Sequence, residues 1–469
     1  PGVSWLLLAA AGAASLSGLM LGYEMGLTSG VLLQLRGLLS LTCRQQELLV
    51  SSHLLGALLI CLAGGPVLDR YGRRCSLLLS AALVVGGSVV LMASSSLVAF
   101  TLGRVVVGMG TSLSGTAACL YIAEISPRER RGLLVTLYEL MLVVGVMLGF
   151  SCSYAFAALP NGWAYTFGLV IPPALLQMAA LVFLPPSPRF LVTRGKVQQA
   201  REESEHSFWE LFSSKANLRS RLLTGVTLVF LQQATGQPNI LSYASPLLRS
   251  VGFDSDAAAT LASTGFGVVK VVGTIPAVLL VDSVGPRSFL CGGAVAMGTS
   301  LVALGALTLQ SHTNLSSLCK SHTGSNRTHA PWDLNETAAQ LGSGDIFATD
   351  PPHRWNRSSL LKWASLISLL VYVAAFSVSL GPMVYVVLSE IFPMGVRGRA
   401  VSVVSAVNWA TNLLISMTFL TATGVCVCVC FTVPVTSEVL FVLLLFVIFC
   451  VPDTKGRTLE EISKELAEK

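Results

Sequence analysis

Twelve long, predominantly apolar stretches run through this chain of 469 residues, at about 5–34, 46–66, 76–98, 101–123, 132–158, 164–185, 222–248, 258–282, 288–310, 360–389, 400–423 and 427–451. A stretch of ~20 apolar residues as a helix spans the hydrocarbon of a bilayer. Inside a bilayer, backbone groups must be satisfied within the segment or within a closed barrel. These runs are too long and too uniformly apolar for barrel strands, which alternate over ~10 residues. The predicted fold is therefore all-α, with twelve transmembrane helices. Apolar residues make up 53% of the chain and charged residues 12%, which excludes a disordered chain, a nucleic-acid binder and an ordinary soluble enzyme. The chain starts at Pro1, so a preceding tail is expected; the first run lacks a basic front and a small-residue cleavage site, and is read as a mature helix.

Twenty of the thirty Lys and Arg residues fall on one side if both termini are placed in the cytosol. That bias is the positive-inside pattern. The four Asn-X-Ser/Thr sequons, Asn314, Asn326, Asn335 and Asn356, all fall in one long segment on the other side, which marks a glycosylated outer loop at 311–358. The eleven cysteines lie mostly in apolar runs and do not read as a disulfide framework; Cys43 and Cys319 both fall outside, where a single bridge is left open.

The two halves repeat each other. Glu124-Ile-Ser-Pro-Arg-Glu-Arg-Arg-Gly132 and Glu390-Ile-Phe-Pro-Met-Gly-Val-Arg-Gly398 are 266 residues apart, as are Pro186 and Pro452 with the segments they open. Asp69 and Asp282, in similar boxes, are only 213 apart, so an insertion of 53 residues enters the second half where the sequon loop sits. The organisation is a six-helix bundle at 1–189, a connector at 190–220, a second bundle at 221–451 and a cytosolic tail at 452–469. Duplicated helical halves enclosing a site at their interface are the design of secondary transporters.

Several motifs together resemble one family over nearly the whole chain: Gly64-Gly-X3-Asp69-Arg-X-Gly-Arg-Arg74, Gly103-Arg104-X3-Gly108, the paired Glu-X6-Arg-Gly boxes, Pro185-Pro-Ser-Pro-Arg189, Gln232-Gln-X-Thr-Gly236, Gly381-Pro382 and Pro452-Asp-Thr-Lys-Gly456. The chain resembles the sugar porter branch of the major facilitator superfamily; Gln237-Pro-Asn-Ile-Leu241 and Lys270 look like its class III facilitated glucose transporters. The resemblance implies two pseudo-symmetric six-helix halves and transport by alternating access. It implies that the boxes holding Asp69, Arg73, Arg74, Glu124, Arg131, Asp282, Glu390 and Arg397 form cytosolic gating ion pairs. Anchoring and capping are the alternative role for these charges.

The resemblance also places Gln232, Gln233, Asn239 and Tyr243 of the seventh stretch, Tyr385 of the tenth, and Asn408, Trp409 and Asn412 of the eleventh around a hexose. Amides suit a sugar because each offers two donors and an acceptor. The competing role for such amides is to hydrogen-bond helices together. The chain departs from the family pattern where Glu139 and Lys270 replace an expected Gln and Asn, where Pro238 displaces an Asn by one place, and where Tyr385 and Ser377 replace a Trp and a Glu. Two opposite charges at substrate-facing positions suggest an interaction across the halves. Glu24 and Arg104 read two ways: as a proton-exchanging pair, or as a static brace between the first and fourth helices.

No nucleotide loop, nucleophile triad or metal cluster is evident, so neither an enzymatic reaction nor a cofactor is expected. His53 reads as a packed, hydrogen-bonded residue, and Cys426, Cys428 and Cys430 as helix packing. The expected function is hexose transport, with proton symport open and a non-transporting sugar sensor as the alternative. The expected partners are a monosaccharide, protons in the symport case and the lipid bilayer, without nucleic acid, for a monomer in the plasma membrane or an endomembrane.

Overall fold

The computed structural model describes residues 5–126, 131–184, 217–250, 255–311, 357–392, 397–425 and 429–451. Among these the regular structure is helical throughout. The first half contains α1 (Trp5–Leu39), α2 and α3 as the two arms of Cys43–Ala93, α4 (Leu97–Ile125), α5 (Arg131–Ala155) and α6, in two pieces (Gly162–Gly168 and Ile171–Phe183). The second half contains α7 in three pieces (Leu218–Ala234, Gln237–Ser242 and Ala244–Ser250), α8 (Asp256–Val284), α9 (Pro286–Ser311), α10 in two pieces (Arg357–Val378 and Leu380–Ile391), α11 (Arg397–Val425) and α12 (Val429–Cys450). Among the described residues, ten segments are long and apolar enough to cross a bilayer. The two that complete the twelve are α7, which is broken, and α12, whose apolar part is shorter, at Thr436–Cys450.

The sequence reading expects a turn between the second and third helices. That turn is made by a single non-helical residue, Gly72, at φ 82° and ψ 165°, with helix on either side. A side chain disfavours that conformation, and glycine adopts it freely. The start of α2 is closed by a capping box: Thr42 accepts from the Gln45 amide, and the Gln45 side chain accepts from the Thr42 amide.

Small residues set the closest packing. Gly18, Gly22 and Gly26 recur every four residues on α1, and a Cβ at any of them would run into the backbone of Tyr138, Leu142 or Val146 on α5. In a bilayer, where apolar side chains gain little by leaving lipid, such close backbone approach supplies much of the helix–helix attraction. The halves meet along α2–α11 and α5–α8. Two hydroxyl pairs cross between them, Ser29–Ser245 and Ser51–Ser416, each at 3.2 Å. Both lie toward the pole opposite Arg73 and Glu124. Cys43, at that pole, is disulfide-bonded. His53 is buried and its Nε2 lies 3.1 Å from the Thr111 hydroxyl, as expected of a packed histidine.

Candidate functional site

The seventh helix carries a dense set of buried polar side chains and is built to bend. Its first piece closes at Thr235, Gly236 follows at φ 79°, and Gln237-Pro238 restarts the helix with proline in its first turn. A left-handed glycine that ends one helix, followed by a proline that starts the next, places a break in mid-bundle. Gln232, Gln233, Asn239 and Tyr243 flank that break, and all are buried.

Their partners lie on α10 and α11. Gln232 Nε2 donates to the Leu380 carbonyl at 2.7 Å. Gln233 Nε2 donates to Asn408 Oδ1. Asn239 Nδ2 donates to Asn412 Oδ1 at 3.4 Å, one helical turn further along. Tyr243 donates to the Ser416 carbonyl at 3.2 Å and stacks on Phe419 with ring centres 5.0 Å apart. The four-residue step 408, 412, 416 on α11 thus faces the step 233, 239, 243 on α7. These amides join helices, as the competing reading has it. They do not exhaust themselves in doing so: Gln232 Oε1, Gln233 Oε1 and Gln237 Nε2 are buried without a hydrogen-bond partner. A buried polar atom left unpaired costs about 1–3 kcal/mol. Two acceptors and a donor are thus left unpaired on either side of the α7 break, groups of the kind that hydroxyls can complete. Trp409, next to Asn408 in the chain, is half-buried. The side chain of Tyr385 lies outside the described residues.

Glu139 and Lys270 face each other across α5 and α8 within electrostatic reach, but they form no ion pair within 4.0 Å. The helix geometry explains the gap. Gly267 packs against Met147, so that the two helices touch at that level. Lys270 then lies roughly 4.5 Å along α8, and Glu139 roughly 12 Å along the antiparallel α5, toward the same pole. Each Cβ tilts toward its own helix N-terminus, which draws the two side chains apart. The Lys270 ammonium rests instead 5.6 Å from the centre of the Phe376 ring.

Glu24 and Arg104 are brought together inside the first half. Arg104 Nη1 lies 3.1 Å from Glu24 Oε2, and Nη2 donates to Thr28 Oγ1 at 2.9 Å. Both residues are buried, and Glu24 Oε1 has no partner. A small cavity lined by Thr28, Val31, Leu49, Val50, Arg104 and Phe167 adjoins the pair.

Of the charged boxes, Arg73 Nε pairs with Glu124 Oε1 at 2.9 Å, and Arg74 Nη2 donates to the Val182 carbonyl at 2.7 Å. Both contacts lie within the first half, between α3 and α4 and between α3 and α6. The side chains of Asp69, Arg131, Asp282, Glu390 and Arg397 lie outside the described residues, as do the sequon residues Asn314, Asn326, Asn335 and Asn356, the 190–216 part of the connector, and Cys319, Cys426 and Cys428.

Sequence reasoning missed two buried groups. Tyr372 of α10 donates to the Thr235 carbonyl at 2.8 Å. Gln177 of α6 donates to Ser17 at 2.6 Å and to the Ala13 carbonyl at 3.1 Å. Tyr372 sits in a run of apolar residues and reads there as filler. Gln177 is an amide at membrane depth, a signal that was present and not used.

Comparison with known proteins agrees with this arrangement. A family profile described as sugar (and other) transporter matches residues 10–206, 197–321 and 346–466. Solute carrier family 2, facilitated glucose transporter member 12 of Danio rerio is 48% identical over 99% of this chain and 88% of its own length, and that of Homo sapiens is 45% identical over 97% and 84%. Among solved structures, a D-xylose-proton symporter superposes with a TM-score of 0.71 at 26% identity, covering 96% of this chain and 99% of its own. A partially occluded, inward-open form of the xylose transporter XylE from E. coli gives 0.72 at 26% identity, covering 97% and 100%. The twelve-helix arrangement in two halves is that of these transporters, and the chain belongs to the sugar (and other) transporter family.

Proposed function

We propose that this protein carries a hexose of D-glucose type across a membrane by alternating access. The observation that carries the reading is the set of unpaired, buried amide atoms of Gln232, Gln233 and Gln237 at the break of α7, at the seam with α10 and α11. Sugar hydroxyls both donate and accept, and so complete these atoms. The facilitated glucose transporters and the xylose symporter to which the chain is similar support the same substrate class.

The cycle needs contacts that exist in one state and break in the other. Ser29–Ser245 and Ser51–Ser416 supply such contacts at one pole. The basic residues assign that pole to the outside and both termini to the cytosol. In this assignment the two pairs hold the halves together on the outer side. Hexose entering from the medium first parts these pairs, settles against α7 and α11, and is released when the halves rock. The 311–358 loop, with its sequons, is then an extracellular glycosylated segment of a monomer in the plasma membrane.

Glu24 and Arg104 carry the proton reading. One carboxylate oxygen is held by Arg104, and the other is buried, unpartnered and free to take a proton. In this scheme the proton enters with sugar and leaves when the pair re-forms.

The deciding experiment uses purified protein in liposomes. Uptake of labelled glucose, galactose, fructose and dehydroascorbate is followed with and without an inward proton gradient. Saturable hexose uptake and counterflow support transport, and acceleration by the gradient supports symport. Hexose binding without counterflow means a sensor and overturns the transport reading.

A further inference from the structure

The broken helices α7 and α10 are tied to each other at their breaks, in both directions. On α7, the amides of Asn239 and Ile240 both bond to the Gly236 carbonyl, so the restarting helix leaves the Thr235 carbonyl without a helical donor. Tyr372, seven residues ahead of the α10 break at Ser379, reaches over and donates to that carbonyl at 2.8 Å. In return Gln232, three residues ahead of the α7 break, donates through Nε2 to the carbonyl of Leu380, the first residue of the second piece of α10, at 2.7 Å. Both side chains are withdrawn from solvent, Tyr372 at 1% exposure and Gln232 at 3%. Each gap in one helix is therefore spanned by a side chain bonded across to the other.

We infer that this reciprocal tie makes α7 and α10 a single moving unit, and that Tyr372 is a positioning residue that transmits ligand occupancy at Gln232 to α10. The inference rests on the hexose reading above for the identity of the ligand, but not for the tie. The chemistry runs through one amide. Gln232 spends its donor on α10 and keeps Oε1 unpaired. A hydroxyl that donates to Oε1 polarises the amide and strengthens the bond from Nε2, because linked hydrogen bonds reinforce one another. Binding at α7 then tightens the hold on Leu380. Tyr372 sets the distance over which that hold acts, by fixing the Thr235 carbonyl against α10. It contacts the α7 backbone and not the three unpaired amide atoms, so its hydroxyl controls how well the two helices move together rather than how well the ligand is gripped.

The test compares the full chain with Tyr372→Phe and with Tyr372→4-aminophenylalanine, which restores an N–H donor at the same ring position. Hydrogen–deuterium exchange without sugar reads the tie directly. In Tyr372→Phe, backbone amides of 236–243 and of 380–384 are expected to exchange about fivefold faster together, the change that follows from losing one buried hydrogen bond. In liposomes, the same variant is expected to bind D-glucose within about twofold of the parent while net uptake falls about fivefold, with the donor-bearing variant restoring both readouts. Unchanged exchange in either segment overturns the tie, as does a 4-aminophenylalanine protein that behaves like the Phe variant. A parent protein that binds and moves no hexose overturns the substrate reading alone, since the exchange measurement still decides whether the helices are coupled.

Discussion

Glu24 and Arg104 form an ion pair 3.1 Å long between α1 and α4, and only one of the two carboxylate oxygens is used. The partner guanidinium is shared with the Thr28 hydroxyl, which itself donates to the Glu24 carbonyl at 2.6 Å. The first and fourth helices are thus joined by a ring of three residues that closes through the Glu24 backbone carbonyl, with one carboxylate oxygen to spare.

Breaking a buried pair by removing one member leaves an uncompensated charge and costs about 3–5 kcal/mol. Glu24→Gln is expected to lower the thermal midpoint of the detergent-solubilised protein clearly. Glu24→Gln combined with Arg104→Met removes both charges and is expected to recover most of that loss. If the pair also carries the coupling proton, both variants lose gradient-driven accumulation but retain sugar exchange. Uptake by the parent that ignores an imposed gradient leaves only the brace.

Gln233 and Asn408 hold each other across α7 and α11, and Gln233 Oε1 remains without a partner. Replacing Gln233 with Leu removes the contact to Asn408 and an acceptor offered to ligand. Loss of one to two such hydrogen bonds corresponds to roughly tenfold weaker binding. Labelled-hexose binding to the purified variant is the measurement. An unchanged affinity means that Gln233 only fastens the helices and that the hexose is held elsewhere.

Much of this was open to inspection in the chain itself. Gln232, Gln233, Asn239, Asn408 and Asn412 stand out because an amide in an apolar stretch has few reasons to be there. The break in α7 is announced by Gly236 and Pro238, whose backbone preferences are intrinsic. Register between helices is different, since it is decided by packing far along the chain. No local pattern says that Gln233 meets Asn408, 175 residues away, rather than Asn412. The kink at Gly72 could not be told from an ordinary turn, because both need a residue that tolerates positive φ. The Gly18–Gly22–Gly26 row was legible as a spacing, but its meaning depends on α5 lying against it.

That row gives a prediction about stability rather than transport. A Cβ at Gly22 meets the backbone carbonyl of Leu142, which cannot rotate aside as a side chain can. Overpacking a core ordinarily costs about 1–3 kcal/mol. Gly22→Leu is expected at or above the top of that range, whereas Gly12→Ala, with nothing within 4 Å of the added carbon, is expected to be silent. Thermal unfolding in detergent distinguishes them, and equal midpoints for the two variants mean that α1 and α5 do not pack as closely as described.

Glu139 and Lys270 are charges at the seam, one from each half, and their interaction has a measurable sign. They are too far apart for an ion pair here, yet nothing else of opposite charge is bonded to either among the described residues. Unpaired charge at membrane depth is costly, while water or a sugar hydroxyl in the gap lowers that cost. The separation changes when the halves rock, so the attraction acts on the transport equilibrium as well as on folding. Glu139→Gln and Lys270→Asn each strand one charge. The double variant strands none. Coupled neighbours show interaction energies of about 0.5–3 kcal/mol. Transport by Glu139→Gln/Lys270→Asn is therefore expected to exceed what the product of the two single losses gives, by about threefold or more. If the losses simply multiply, each charge answers to water in its own pocket, and the two halves do not sense each other through them.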